Sequence, residues 1–134
     1  MKSTFNKYLP LVLKIVLAAL LIQTLRFKFT AHEDSVYIFN KLGMEPWGRI
    51  LIGVFELIAS ILLFVPRINL YGIILTVGLM FGAIFLHLTK LGIVVKEDGG
   101  ALFGMAVLCL SIALALLFLY KDKLKDSFQK LFNS

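Results

Sequence analysis

The chain has 134 residues, 60% of them hydrophobic, 16% charged and with a formal net charge of +6. Soluble domains carry about 25% charged residues and are about half apolar, so these figures, with a mean hydropathy of +0.92, exclude a soluble globular enzyme and indicate one integral membrane domain. The positive charge is no nucleic-acid signal, because the basic residues flank apolar segments and fill the C-terminal tail, where phospholipid head groups would meet them.

A spanning helix needs about 20 apolar residues, and four segments qualify. The first runs over about Leu9–Leu25, with Pro10 suited to a first turn. Lys2 and Lys7 imitate the basic start of a signal peptide, but Lys14 interrupts the apolar run and no A-x-A site follows, so the segment reads as a retained helix. The next stretch, Phe27 to Gly48, contains a short helix at Glu33–Leu42 that Gly43 is placed to end. Val36, Phe39 and Leu42 recur in it at helical spacing. It would lie on the membrane surface or lid the bundle mouth.

The second span covers about Arg49–Val65. Pro66-Arg67-Ile68-Asn69 then makes a tight connection to the third, about Leu70–Leu88. Asp98-Gly99-Gly100 reads as a loop ending at the N-cap of the fourth, about Ala101–Tyr120, which holds no charge. The tail, residues 121–134, continues as a basic amphipathic helix with Leu124, Phe128 and Leu131 on one face, expected on anionic lipid. The fold class is therefore all-α: an integral membrane four-helix antiparallel bundle with a short helix in the first outer loop. With both termini inside, the cytoplasmic side holds Lys2, Lys7, Arg67, Lys121, Lys123, Lys125 and Lys130, against Arg26, Lys28, Lys41, Arg49, Lys90 and Lys96 on the other side. Seven cations against six set that orientation by a narrow margin.

Glu56 stands in the middle of the second span. A carboxylate in hydrocarbon is costly unless paired, protonated or facing water, which makes it a functional-site candidate. At 1.5 Å of rise per residue it lies roughly 9 Å from the outer end. Gln23, Arg26 and Lys28 close the first helix at that end, His87 closes the third, and Glu97 and Asp98 precede the fourth. Gly53, Glu56 and Ser60 share a helical face; so do Ala19, Gln23 and Arg26, and so do Thr76, Met80, Ala83 and His87. The expected site is a polar pocket open to the outer side, formed by Glu56, Arg26, Lys28, His87 and Gln23, with Glu56 and Arg26 paired. The alternative is a structural ion pair that fixes helix register. Lys14, on the opposite side of its helix from Gln23, is expected to snorkel to the inner head groups.

Other chemistry finds little support in the residues. Cys109, the one cysteine, is expected to be apolar filler. His32 and His87 lack the spacing of a haem or zinc site, so no metal and no intrinsic cofactor is expected. No nucleophile–base signature marks a catalytic residue, and the chain is not expected to be catalytic on its own. Gly78-x-x-x-Gly82 and Gly100-x-x-x-Gly104 are expected to serve helix packing within the bundle or homodimerisation.

Several phrases together resemble the DoxX-like family of small four-helix bacterial membrane proteins. They are Arg26-Phe-Lys-Phe29, Phe39-Asn-Lys-Leu-Gly43, Glu56-Leu-Ile-Ala-Ser-Ile-Leu-Leu-Phe-Val-Pro-Arg67, Gly72, Gly78-Leu-Met-Phe-Gly-Ala83 and His87-Leu-Thr-Lys-Leu-Gly92. The resemblance covers nearly the whole chain. It implies a multi-pass protein of the bacterial inner membrane, with Lys28 and Glu56 at typical family positions and Arg26 and His87 as weaker matches. The family's namesake is the small membrane subunit of a thiosulfate:quinone oxidoreductase. The resemblance therefore implies an accessory subunit of a quinone-linked redox complex, with bound quinone as the ligand. The partners expected are the lipid bilayer and a larger protein complex or a second copy of the chain, and no nucleic acid. A scaffold subunit of a membrane or envelope assembly is the alternative, and a small-solute or lipid pathway the third.

Overall fold

The structure, a computed structural model, describes residues 2–96 and 98–133, with side chains from Lys7 onward. It contains α1 (Lys2–Phe29), α2 (Glu33–Lys41), α3 (Trp47–Leu62), α4 (Asn69–Leu86) continued by a π-helical turn (His87–Leu91), α5 (Ala101–Leu119) and α6 (Lys121–Asn133). Glu97 lies outside the described residues.

The long helices follow the apolar segments, and their ends differ for local reasons. α1 begins far upstream of the apolar run, so Pro10 lies inside it rather than in its first turn. There it leaves the Asn6 carbonyl without the usual i→i−4 partner. α3 stops at Leu62, three residues before the expected limit. Pro66 disfavours helical backbone at Val65, and the chain closes in short turns, with Phe64 and Val65 donating to the Ile61 and Leu62 carbonyls. Beyond Leu86 the ladder loosens into the π turn, which carries His87. Such insertions are frequent at functional sites.

Three segments are long and apolar enough to cross a bilayer, Lys7–Phe29, Asn69–Leu91 and Ala101–Leu119. α3, at 16 residues, is shorter. It is also the most sharply two-faced of the four, since Arg49, Gly53, Glu56 and Ser60 turn inward while Leu51, Val54, Phe55 and Ile58 face out.

α1, α3, α4 and α5 form a ring in which each packs on the next and α5 closes on α1. Leu17 and Leu21 of α1, Ala59 and Leu63 of α3, Ile73 and Met80 of α4, and Cys109, Ala113 and Leu116 of α5 fill its middle and the part away from α2. Large apolar side chains such as Tyr71, Phe81, Phe85 and Phe118 are exposed on the outside, as expected of a surface whose solvent is hydrocarbon. α3 and α4 approach most closely at Gly72, where an added Cβ would lie 2.9 Å from the Leu63 nitrogen and 3.0 Å from the Ala59 carbonyl oxygen.

The end of the bundle nearest α2 is built differently. α2 packs against α1, α3 and the π turn, so it crosses the mouth of the bundle, with Ser35 and Phe39 buried beneath it. The starts of α1 and α6 lie at the other end. Lys123, at the start of α6, donates to the Pro66 carbonyl at 2.8 Å and to Asn69 Oδ1 at 2.7 Å.

Candidate functional site

Beneath α2 the four helices enclose a cavity of about 400 Å³. Its wall is mostly apolar, with Leu20 and Leu21 of α1, Ile52 of α3, Leu79 and Met80 of α4 and Leu102, Met105 and Cys109 of α5. Ile38, Phe39 and Leu42 of α2 form the roof. Polar groups enter it at a few points only: Thr24, Lys28, Glu56, His87, Asp34, Ser35 and Asp98.

Glu56 is the centre of this polar edge and is only 4% exposed. Its carboxylate accepts from Thr24 Oγ1 at 2.8 Å and from Lys28 Nζ at 3.2 Å through one oxygen, while the other oxygen lies 3.1 Å from the same Nζ. The burial cost of the carboxylate is thus met by a bracketing ammonium and a hydroxyl donor. Lys28 stands near the end of α1, and its own backbone carbonyl accepts from Arg49 Nη1. Arg49 Nε in turn donates to both oxygens of Glu45, at 2.9 and 3.0 Å. Arg49 is buried, and it ties α3, the preceding loop and the C-terminal end of α1 together beside the Glu56–Lys28 pair.

His87 is also buried and lines the cavity. Its Nδ1 is 2.9 Å from the Gly92 carbonyl. A carbonyl can only accept, so Nδ1 carries the proton, and Nε2 of the neutral ring is left as an acceptor. The Phe103 ring meets the imidazole edge-on at 5.7 Å between centroids.

Asp98 organises the loop that brings α5 into the site. Its carboxylate accepts from the backbone N–H groups of Val95, Gly100 and Leu102, satisfying donors that the start of α5 would otherwise leave open. Partial burial pushes its pKa up, but these three N–H groups outweigh it and hold the carboxyl below its ordinary 3.8. On the outer surface Lys96 lies 3.2 Å from Asp34 and 3.5 Å from Glu33 at the start of α2, and 5.3 Å from the Tyr37 ring centroid. The hydrogen bond to Asp34 foremost, with the Glu33 charge, raises its pKa above 10.5 despite desolvation.

Of the five residues expected to share a pocket, Glu56, Lys28 and His87 line the cavity, and Arg26 and Gln23 do not. The expected Glu56–Arg26 pair is replaced by Glu56–Lys28, and the side chains of Arg26 and Gln23 are exposed. Their depth is as expected and their direction is not. The inward stripe of α1 is Leu17, Leu21 and Leu25, which carries Thr24 and Lys28 along with it. Gln23 and Arg26 follow Ala19 on the outward face. The faces of Gly53, Glu56 and Ser60 on α3, and of Thr76, Met80 and His87 on α4, are buried as expected.

Thr24 and Arg49 were not anticipated as parts of the site. The leucine stripe could have pointed to Thr24, and the i,i+4 spacing of Glu45 and Arg49 to a paired arginine. His32 is exposed. It caps α2 by accepting from the Asp34 N–H, apart from His87. The glycine pairs do not carry close helix packing within the bundle, the first of the two uses expected of them. Added Cβ atoms at Gly78, Gly82 and Gly104 would meet nothing within 4 Å, and Gly78 and Gly82 line the cavity. They leave room for the cavity, while Gly72 carries the tight helix contact. Among the described residues no group of three or more His, Cys, Asp or Glu is placed to hold a metal ion.

A family model described as the DoxX-like family matches residues 12–115, a range that includes every cavity-lining residue named above. No curated protein and no solved structure matches the chain.

Proposed function

The chain belongs to the DoxX-like family, and from that premise we propose that it is a non-autonomous accessory subunit of a membrane redox complex whose outer cavity receives a quinone. In this reading it sits in the bacterial inner membrane with both termini in the cytoplasm. One observation carries the proposal: an apolar chamber of about 400 Å³ has a buried Glu56–Lys28 pair on its wall. Ligand sites are mostly apolar cavities with a few placed polar groups, and that division suits a ring with an isoprenoid tail.

The chemistry at each atom fits both redox forms. Lys28 has a third N–H to offer a quinone carbonyl, beyond the two directed at Glu56. A quinol hydroxyl would donate to Glu56 or to Nε2 of His87, and these groups would take the protons released when the quinol is oxidised. The two electrons would pass to a partner subunit, so the reading requires one.

Mass spectrometry of the gently extracted protein, scored for lipophilic ligands and co-purifying proteins together, tests this. The expected result is a quinone that is lost in Glu56→Gln with the helical content kept, together with a redox subunit. A non-redox envelope complex with an empty cavity would overturn the proposal in favour of a scaffold subunit.

A further inference from the structure

The end of the bundle opposite α2 gathers lysines over aromatic rings. Lys14 Nζ of α1 lies 5.0 Å from the ring centroid of Tyr120, and Lys123 Nζ of α6 lies 6.0 Å from the same ring. Lys121 Nζ lies 4.6 Å from the Phe118 ring. Lys123 also bonds to Pro66 and Asn69, which fixes the start of α6 against the α3–α4 turn.

The ion pairs are distributed unevenly, although Asp122 and Asp126 stand among the lysines of α6. The ion pairs formed among the described residues join Lys28 to Glu56, Arg49 to Glu45, and Lys96 to Glu33 and Asp34. All lie toward the α2 end. Among the described residues no carboxylate pairs with Lys14, Lys121, Lys123 or Lys125. α6 buries none of its residues, and Phe128 and Phe132, 54% and 78% exposed, stack at 5.9 Å on it. The helix continues directly from α5, whose own outward residues face hydrocarbon.

We propose that this end of the protein is a docking surface for anionic phospholipid. Lys14 and Lys123 flank Tyr120 to hold the lipid phosphate, Lys121 and Lys125 add to the attraction, and α6 lies in the head-group layer with Phe128 and Phe132 among the upper acyl chains. Charge complementarity selects the occupant. Unpaired ammonium groups beside aromatic rings, at the level where a spanning bundle leaves hydrocarbon, meet the negative head groups of a leaflet, and a basic helix with an aromatic face lies in the interface plane. The surface is separate from the outer cavity and stands whether or not that cavity takes a quinone.

The test uses the full chain in bilayer vesicles, with Trp47→Phe removing the native indole and Phe128→Trp reporting on α6. Chain-brominated phosphatidylglycerol and chain-brominated phosphatidylcholine are compared as quenchers at equal mole fraction. The anionic lipid is expected to quench at least about fivefold more effectively, the scale of one lysine facing anionic lipid. The preference should fall as salt is raised. It should fall at least about fivefold, leaving what Lys123 contributes, when Lys14, Lys121 and Lys125 are all replaced by Gln, and return when the same three are replaced by Arg. Equal quenching by the two lipids would overturn the proposal. So would water-like emission untouched by either lipid, a preference insensitive to salt, or Arg substitutions that fail to restore what Gln removed. A greater loss of the preference with inorganic phosphate than with sodium chloride at the same ionic strength would assign the site to free anions and also overturn it. The salt titration needs no lysine substitution, so the proposal is tested even if the triple variant does not fold.

Discussion

The Lys28 ammonium reaches from α1 to both carboxylate oxygens of Glu56 on α3, at 3.1 and 3.2 Å. The two side chains are 16% and 5% exposed, so the contact is made with little water. Arg49 supports it from behind by holding the Lys28 carbonyl. The pair thus joins the two helices at the edge of the cavity and sets the charge there.

Breaking the pair should cost more than replacing it. Glu56→Gln or Lys28→Met each leaves one charge without its partner, at an expected cost of about 3–5 kcal/mol. Lys28→Met combined with Glu56→Gln removes both charges and should recover most of that loss. Unfolding titrations of the four proteins in detergent micelles measure the coupling. Strictly additive single effects would show that the two residues do not act as a pair.

Gly72 and Gly82 should respond oppositely to alanine. The Gly72→Ala methyl would press on the backbone of α3 at 2.9 and 3.0 Å, and overpacking of this kind costs about 1–3 kcal/mol. The Gly82→Ala methyl enters open space at the cavity wall, and helix propensity favours the change by up to about 1 kcal/mol. Thermal midpoints in detergent distinguish them. A destabilised Gly82→Ala would contradict the open space seen beside α4.

Asp98 should make part of the stability acid-sensitive. Its folded-state pKa is lowered, so the unfolded chain takes up the proton first. The stability it supplies is full above the ordinary carboxyl value of 3.8 and is lost as the pH falls below that value, through the depressed one. Asp98→Ala removes a helix-end acceptor worth about 0.5–2 kcal/mol at neutral pH and should flatten this acid limb. Thermal unfolding followed down to about pH 2.5, below the reference carboxyl range, compares the two proteins. Parallel curves would mean that Asp98 contributes nothing to the pH dependence.

The roof over the cavity should be loosened by changes at either of two residues. Lys96 holds the first turn of α2 from outside, and Phe39 anchors it from beneath, 7% exposed. Cys109, the one cysteine, lines the cavity below and reports access through its alkylation by a small uncharged maleimide. Lys96→Ala should speed alkylation by up to about fivefold, because exposed ion pairs contribute no more than about 1 kcal/mol. Phe39→Ala should speed it further. Unchanged rates in both variants would mean that the reagent does not enter beneath α2.

Much of the molecule could be read along the chain. The apolar segments, α2 with Gly43 just past its end, the buried faces of Glu56 and His87, and the family likeness all depend on local patterns. Hydrocarbon length and the cost of a buried charge act on each helix separately, and depth along a helix follows from counting residues. Sequence therefore determined an all-α membrane bundle with an acidic residue inside it. The tertiary structure decided which side chain meets that acid. A step of one residue turns a helix by 100°, so two candidates of α1 at similar depth, Arg26 and Lys28, point to opposite sides, and only the packing of the Leu17, Leu21 and Leu25 stripe chooses between them. It likewise decided that Gly72 carries the close contact while Gly78 and Gly82 open the cavity, because the space beside a glycine belongs to whichever neighbour the fold brings there.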